Sequence, residues 1–293
     1  MNTTNSNQHI PVLLERVLDV LQPTEGESYL DLTSGYGGHA RAIIEKTGKP
    51  EAATLVDQDS QALEATHDLQ DLGATPIHLD FASAVVELGN SNQQFDMILA
   101  DLGVSSPHLD DAERGFSFMR EGPLDMRMNR NGEGPTAADI VNTAARTRLE
   151  TILRELGEEK QAKRIAEAII AARPLQTTHE LASVVENVIP RRGKTHPATR
   201  TFQAIRMAVN NELEQVERML AHIEELMKPG SRLAIISFHS LEDRLVKTFF
   251  NERCKSGYES TMELLTKRPI LGTEESDTNP RSRSAVLRAV VKK

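Results

Sequence analysis

Short β-favouring runs alternate with helical stripes over the first third of the chain. Val12, Leu13, Val17, Val20 and Leu21 recur at the spacing of one helix face, and Pro11 suits its first turn. Pro23 and Gly26 stop that helix, and Tyr29-Leu30-Asp31 reads as a strand. Arg41 to Lys46 has helical character, and Ala52 to Val56 is a second apolar strand leading to Asp57. Asp59 or Ser60 is placed to cap a helix over Gln61 to Leu72. Thr75 to Phe81 gives a short third strand with its turn, and Phe95 to Asp101 a fourth.

The alternation then stops. From Leu102 to about Gly134 the chain is rich in Gly, Pro, Ser, Asp and Arg and keeps no period. Thr136 to about Ile189 reads as several helices, one capped by Thr177 or Thr178. Thr199 to Met227 predicts one long helix, with Phe202, Ile205, Val209, Leu213, Val216, Met219 and Leu220 at helical spacing. That stripe suits the core, and it would also serve a homodimer interface. Lys228-Pro-Gly-Ser231 is a turn, Leu233 to Phe238 returns to strand, and 261–277 reads as loop or lid. Ser284 to Val291 predicts a last strand. The expected fold is α/β: a parallel-sheet domain over 1–103 and 210–293, interrupted by a mostly helical insertion over 104–209.

The first strand runs into a glycine turn and then a helix, the opening of a nucleotide-binding unit. Taken literally, Gly35-x-Gly37-x-x-Ala40 satisfies the dinucleotide pattern as well as that of S-adenosylmethionine sites. The strand-end acids separate the two. Asp31, Asp57 and Asp101 each close a strand at the same expected edge. Three carboxylates suit the sulfonium, amino and ribose groups of S-adenosylmethionine, and they would repel a pyrophosphate. Asp57, 20 residues beyond Gly37, is placed to accept from ribose hydroxyls. Phe81 follows the third strand, where it could stack on an adenine.

Asp101-Leu-Gly-Val-Ser-Ser-Pro-His108 has the acid and proline of enzymes that methylate exocyclic base amines. Such an amine is a weak nucleophile, because its lone pair is delocalised into the ring. A carboxylate accepting its N–H bonds frees and aims that lone pair, so neither a metal nor a covalent nucleophile is required.

Composition adjusts this picture only locally. With 39% hydrophobic and 26% charged residues the chain is an ordinary globular protein. No apolar run has the length of a membrane span, and the polar start is no secretory signal, so a cytoplasmic protein without membrane contact is expected. The single cysteine, Cys254, excludes a disulfide framework and a cysteine-cluster metal site. A formal charge of −9 argues against nucleic acid, but 187–209 and 278–293 contain basic residues and no acid. Those two stretches favour a polyanionic substrate.

Several longer motifs then coincide. They are Gly35-x-Gly-Gly-His39, Asp101-Leu-Gly-Val-Ser-Ser-Pro107, Leu109-Asp-Asp-Ala-Glu-Arg-Gly-Phe-Ser-Phe118 and Gly122-Pro-Leu-Asp-Met-Arg-Met128. Lys194-x-His-Pro-Ala-Thr-Arg-Thr-Phe-Gln203, Ile236-Ser-Phe-His-Ser-Leu-Glu-Asp-Arg244 and Asn279-Pro-Arg-Ser-Arg-Ser284 complete the series. Together they closely resemble the bacterial ribosomal RNA small subunit methyltransferase H family, also called MraW or RsmH. The resemblance implies S-adenosylmethionine-dependent methylation of N4 of a cytidine in the decoding region of 16S rRNA. It also implies a Rossmann-like methyltransferase domain with an inserted helical substrate-recognition domain.

By motif position, Gly37, Gly38, His39, Asp57, Phe81, Asp101 and His108 look like cofactor contacts, with Asp101 also orienting the amine. His108 stands where relatives often carry Gln, and Leu32 where they usually carry a small residue. Ser105, Ser106, Pro107, Arg114, Asp125 and Arg127 are candidates for holding the flipped base and its phosphates. Arg191, Lys194, Arg200, Arg281 and Arg283 are candidates for the rRNA backbone, and His239 for a wall of the site. The scattered basic patches favour the assembled small ribosomal subunit as substrate. Three rival readings share parts of the pattern: an NAD-dependent oxidoreductase, a non-catalytic RNA-binding module, and an amino-methyltransferase acting on DNA.

Overall fold

Tyr29–Asp31, buried at every residue, forms strand β1 near the middle of an eight-stranded sheet. The computed structural model describes residues 11–191, 196–255, 260–275, 277 and 279–293. The chain falls into two compact units, Met1–Gly103 with Leu213–Lys293, and Val104–Glu212.

The first unit opens with helix α1 (Leu14–Leu21), β1, α2 (Gly38–Thr47), β2 (Ala53–Asp57), α3 (Ser60–Glu64) and α4 (His67–Asp71). It continues with β3 (Thr75–His78), α5 (Phe81–Asn90) and β4 (Phe95–Asp101). The second unit contains α6 (Ser106–Asp110), α7 (Ala137–Thr143), α8 (Arg146–Glu155), α9 (Ala162–Ala172), α10 (Thr178–Val188) and α11 (Thr199–Asn210). After α12 (Glu212–His222) come β5 (Met227–Ser237), α13 (Ser240–Arg253), β6 (Met262–Leu264), β7 (Ile270–Leu271) and β8 (Val286–Lys292).

The sheet order is β3-β2-β1-β4-β5-β8-β6, with β7 also on β8. The first five strands are parallel, and β8 runs antiparallel to β5. Strand order reverses between β1 and β4, the position at which open α/β sheets bind ligands outside their carboxyl ends. Both faces are covered. Leu30, Val56, Ile98 and Ala100 join one apolar cluster, whereas Tyr29, Leu55, Met97 and Leu99 join the other. Near-continuous apolar strands are what a parallel sheet buried on both sides demands.

Two predicted helices are each divided. The Gln61–Leu72 stretch breaks between α3 and α4, because side chains take the carbonyls that a continuous helix would use. Thr66 Oγ1 and Gln70 Nε2 donate to the Leu63 carbonyl at 2.8 and 2.7 Å, and Arg41 Nη2 donates to Ala65 O at 2.9 Å. The Thr199–Met227 stretch stops at Asn210, and Asn211 takes a left-handed φ of 48°. Asn210 Nδ2 donates to the Arg206 carbonyl at 2.9 Å, and Arg206 makes a bidentate pair with Glu212, both contacts 2.8 Å.

Its apolar stripe is therefore shared between two cores: Phe202, Ile205 and Val209 in the second unit, and Val216, Met219 and Leu220 in the first. The turn at 228–231 lies inside β5, where Lys228 N–H donates to Ser231 Oγ at 2.8 Å. Part of the expected loop at 261–277 pairs as β6 and β7. Among the described residues no helix is long and apolar enough to cross a membrane.

Candidate active site

The register of the parallel strands assembles the acids. Asp31 lies opposite Leu55 of β2 and Leu99 of β4, and both neighbours run two residues further, to Asp57 and Asp101. β1 thus ends in a notch between two longer strands. Alternation along a strand puts Asp31 on the face of Tyr29, Asp57 on that of Leu55 and Asp101 on that of Leu99. Those three residues all belong to one apolar cluster, so the three carboxylates share one face and one edge.

Their partners differ. Asp31, 1% exposed, accepts from Tyr29 Oη at 2.7 Å and from Thr33 N–H at 3.2 Å. Asp57 accepts from the backbone N–H groups of Gly35 and Asp59, both at 2.8 Å, which ties the glycine turn to β2. The Asp101 backbone N–H donates to Thr33 Oγ1 at 2.6 Å, while its side-chain Oδ1 is buried without a hydrogen-bond partner. Ser34 Oγ, in the same turn, is also buried without one.

Crowding like charges away from water raises their proton affinity. Burial first, and the Asp57 charge in addition, push Asp31 up to about 7 against the pull of Tyr29 and Thr33. Burial, then the charges of Asp31 and Glu242, hold Asp101 well above the ordinary carboxylate range. His39 offers no compensation. Burial lowers it to about 4, so it is neutral, and its Nε2 lies 3.0 Å from the Val12 carbonyl. Nε2 must carry the proton to make that bond, which leaves the lone pair of Nδ1 toward Asp101 Oδ2 at 3.8 Å. Among the described residues no lysine or arginine pairs with Asp31 or Asp101. The notch is an unbalanced anionic site with two orphaned polar atoms, which fits a cationic ligand rich in donors and disfavours a pyrophosphate.

The turn's glycines answer to the protein itself. A Cβ on Gly38 would stand 2.5 Å from Pro11 Cγ, and one on Gly37 would stand 2.7 Å from Arg41 Nη1, at a φ of 78°. Arg41 is the functional residue that sequence reasoning missed. It donates to Tyr36 O at 2.5 Å and to Ala65 O at 2.9 Å, and it pairs with Asp68 at 2.6 Å, fastening the glycine turn to the segment after β2. Its only sequence signal was a cation one turn beyond the glycines. Gly38→Ala should therefore act on stability. Overpacking of this kind costs about 1–3 kcal/mol, and a thermal melt should fall by roughly 2–10 °C. An unchanged melt with weakened cofactor binding would instead make the ligand the reason for the glycine.

Phe81 is the first residue of α5, half-buried against the cluster that includes Leu32 and Val56. Leu32 points into that same core, on the face away from Asp31, so its bulk does not enter the turn.

The remaining candidates resolve individually. Ser105 precedes α6, and its N–H donates to His108 Nδ1 at 3.3 Å, with Oγ at 3.0 Å from that nitrogen. His108 is 6% exposed and packs on Phe116 at 5.0 Å; Ser106 is buried and Pro107 half-buried. Arg114 lies against the backbone of its own loop. It is 3% exposed, and its Nη2 donates to the carbonyls of Arg127 and Met128 at 3.2 and 2.8 Å. Arg127 is held in a bidentate pair by Asp125 at 2.8 and 3.0 Å, so these two lock a loop.

His239 stands at the start of α13. It caps α13 by accepting the Glu242 N–H at 3.3 Å, and its Nε2 lies 3.0 Å from the buried Glu242 carboxylate. Nδ1 thus serves the helix start, whereas Nε2 is buried without a hydrogen-bond partner. Arg191, Arg200 and Arg283 are exposed, and Arg281 is half-buried. Lys194 lies outside the described residues.

Sheet order, the glycine turn and the anionic notch define a Rossmann-like, S-adenosylmethionine-dependent methyltransferase. The profile of the MraW methylase family matches residues 6–293, and the chain belongs to that family. Proteins named "Ribosomal RNA small subunit methyltransferase H" are similar to it over nearly all of its length. That of Maridesulfovibrio salexigens is 46% identical over 306 residues, covering 96% of this chain and 94% of the relative. That of Pelobacter propionicus is 45% identical over 310 residues, covering 97% and 98%. That of a Cyanothece species is 46% identical over 283 residues, covering 96% and 93%.

Proposed function

We propose that the protein methylates N4 of a cytidine in the decoding region of 16S rRNA, acting on the assembled small ribosomal subunit. The observation that carries this reading is the buried, unpartnered Oδ1 of Asp101, at the strand end beside the notch. The relatives' printed name supports the substrate class. When bound, S-adenosylmethionine supplies an electrophilic methyl on a sulfonium.

Asp31 and Asp101 face the positive charge, and a cation between them favours their ionised forms. An ionised Asp101 accepts an N–H of the cytosine amine, which aims the nitrogen lone pair and stabilises the positive charge that develops there. The amine then gives up one proton to the Asp101 carboxylate as the new N–C bond replaces the S–C bond. His39, neutral and tied to Val12, fills the space beside Asp101 without supplying a competing positive charge.

The helical insertion is the part we assign to the RNA. Arg191 and Arg200 there, with Arg283 near the end of the chain, are exposed and suited to phosphate contacts. The cytidine has to leave its stack before its amine can be reached.

The test is labelled-methyl transfer from S-adenosylmethionine to small subunits lacking the modification, followed by nucleoside analysis. Label in N4-methylcytidine is expected, with subunits a better substrate than naked 16S rRNA. Label on another nucleoside, or transfer to DNA instead, would overturn the assignment.

A further inference from the structure

Tyr29 is 1% exposed, and its hydroxyl is 2.7 Å from Asp31 Oδ2. The two residues are two apart on β1, so the pleat itself directs the ring and the carboxylate to one face. The phenol is a neutral donor locked beneath the middle acid of the notch. Burial first, then the charge of Asp31, holds it protonated well above its ordinary range, so it always has a hydrogen to give.

The other charged groups around Asp31 work against its ionisation. Asp57 faces it from β2 and Asp101 from β4, and Glu242 of α13 adds negative charge at Asp101. His39 of α2 is neutral, and Thr33 N–H gives a second, longer bond at 3.2 Å. Tyr29 is thus the side chain that favours the carboxylate form from within the protein.

We propose that Tyr29 is a positioning residue: its hydroxyl fixes the Asp31 carboxylate and sets the pH range over which the notch accepts the cationic cofactor. This rests on Asp31 facing the positive charge of S-adenosylmethionine, as read above.

The test is calorimetric titration of the full chain with S-adenosylmethionine from pH 6 to pH 9. Wild type, Tyr29→Phe, Asp31→Asn and a chain carrying 3-fluorotyrosine at position 29 are compared, each checked for a folded melt. Titration of the cofactor's own groups is common to all four and cancels. Wild-type affinity rises with pH. In Tyr29→Phe the midpoint of that rise moves up by roughly one pH unit, the loss of one hydrogen bond to a charged group. Affinity near neutrality then falls by up to about tenfold and recovers at pH 9. Fluorination makes the phenol a stronger donor and moves the midpoint down.

Equal weakening of Tyr29→Phe at every pH, or midpoints that stay together across the three tyrosine-site proteins, would reduce Tyr29 to core packing. Asp31→Asn binding as tightly as wild type, with flat pH dependence in both, would instead remove Asp31 from the site. That result is separable from any effect at Tyr29.

Discussion

Asp31→Asn is expected to stabilise the free protein while weakening cofactor binding roughly 10- to 100-fold, the loss of one charge-assisted contact. The stability half follows from linkage. Asp31 titrates at about 7 in the fold against an ordinary 3.8, so between those values the folded state holds the proton more tightly than the unfolded chain. Stability from this group is complete below about pH 4, falls as pH rises, and is gone above about 7. Ionised Asp31 costs the free fold on the order of 4 kcal/mol relative to its protonated form.

Asparagine removes that charge and keeps an acceptor for only one of the two donors, Tyr29 Oη or Thr33 N–H. The net gain at pH 8 should be about 2 kcal/mol, seen as a melt raised by roughly 4–8 °C. At pH 5 the cost from Asp31 is only about 1.6 kcal/mol, close to what the lost acceptor forfeits, so the gain should vanish. Saturating S-adenosylmethionine should offset most or all of that gain, because ligand bound 10- to 100-fold more tightly adds about 1.4–2.7 kcal/mol more to the wild type than to the variant. A variant less stable than wild type at pH 8 would mean that Asp31 serves the fold rather than the ligand.

Asp101→Asn should lower turnover by roughly 10²–10³ at saturating cofactor, the size seen when one preorganised electrostatic group is removed. The change keeps the shape of the side chain and the backbone bond to Thr33 Oγ1. It removes the charge proposed to face the amine and the group proposed to take its proton. Single-turnover methyl transfer separates the two roles considered for this residue. A slow chemical step with near-normal cofactor affinity assigns Asp101 to the amine. A raised KM for S-adenosylmethionine with turnover within about tenfold would make it a cofactor anchor instead.

The strand ends were readable because buried parallel strands are short apolar runs that stop at polar residues, and Asp31, Asp57 and Asp101 are those stops. Helix continuity was less readable. The breaks at Ala65 and Asn211 depend on carbonyls taken by Gln70, Thr66, Arg41 and Asn210, whose spacing looks like that of any helix surface. Arginines were the least readable. Arg114 and Arg127 share the composition of phosphate-binding residues, yet one is buried on backbone carbonyls and the other paired with Asp125. Arg41 looked like ordinary helix surface, and it fastens the glycine turn. A cation's role depends on which acceptor it meets, and acceptors distant in sequence leave no local pattern.

By itself, the amino-acid sequence determined the element types, the glycine turn and the three acids, because each follows from local periodicity or from residue chemistry. It also carried the family, through motifs that run nearly the whole length of the chain. Tertiary structure decided what those residues do to one another. Strand register leaves β1 two residues short of its neighbours, burial removes the water that would screen the carboxylates, and Pro11 and Arg41 occupy the space above the glycines. Those are facts of packing between distant segments, and electrostatic strength in the notch depends on them far more than on which residues are present.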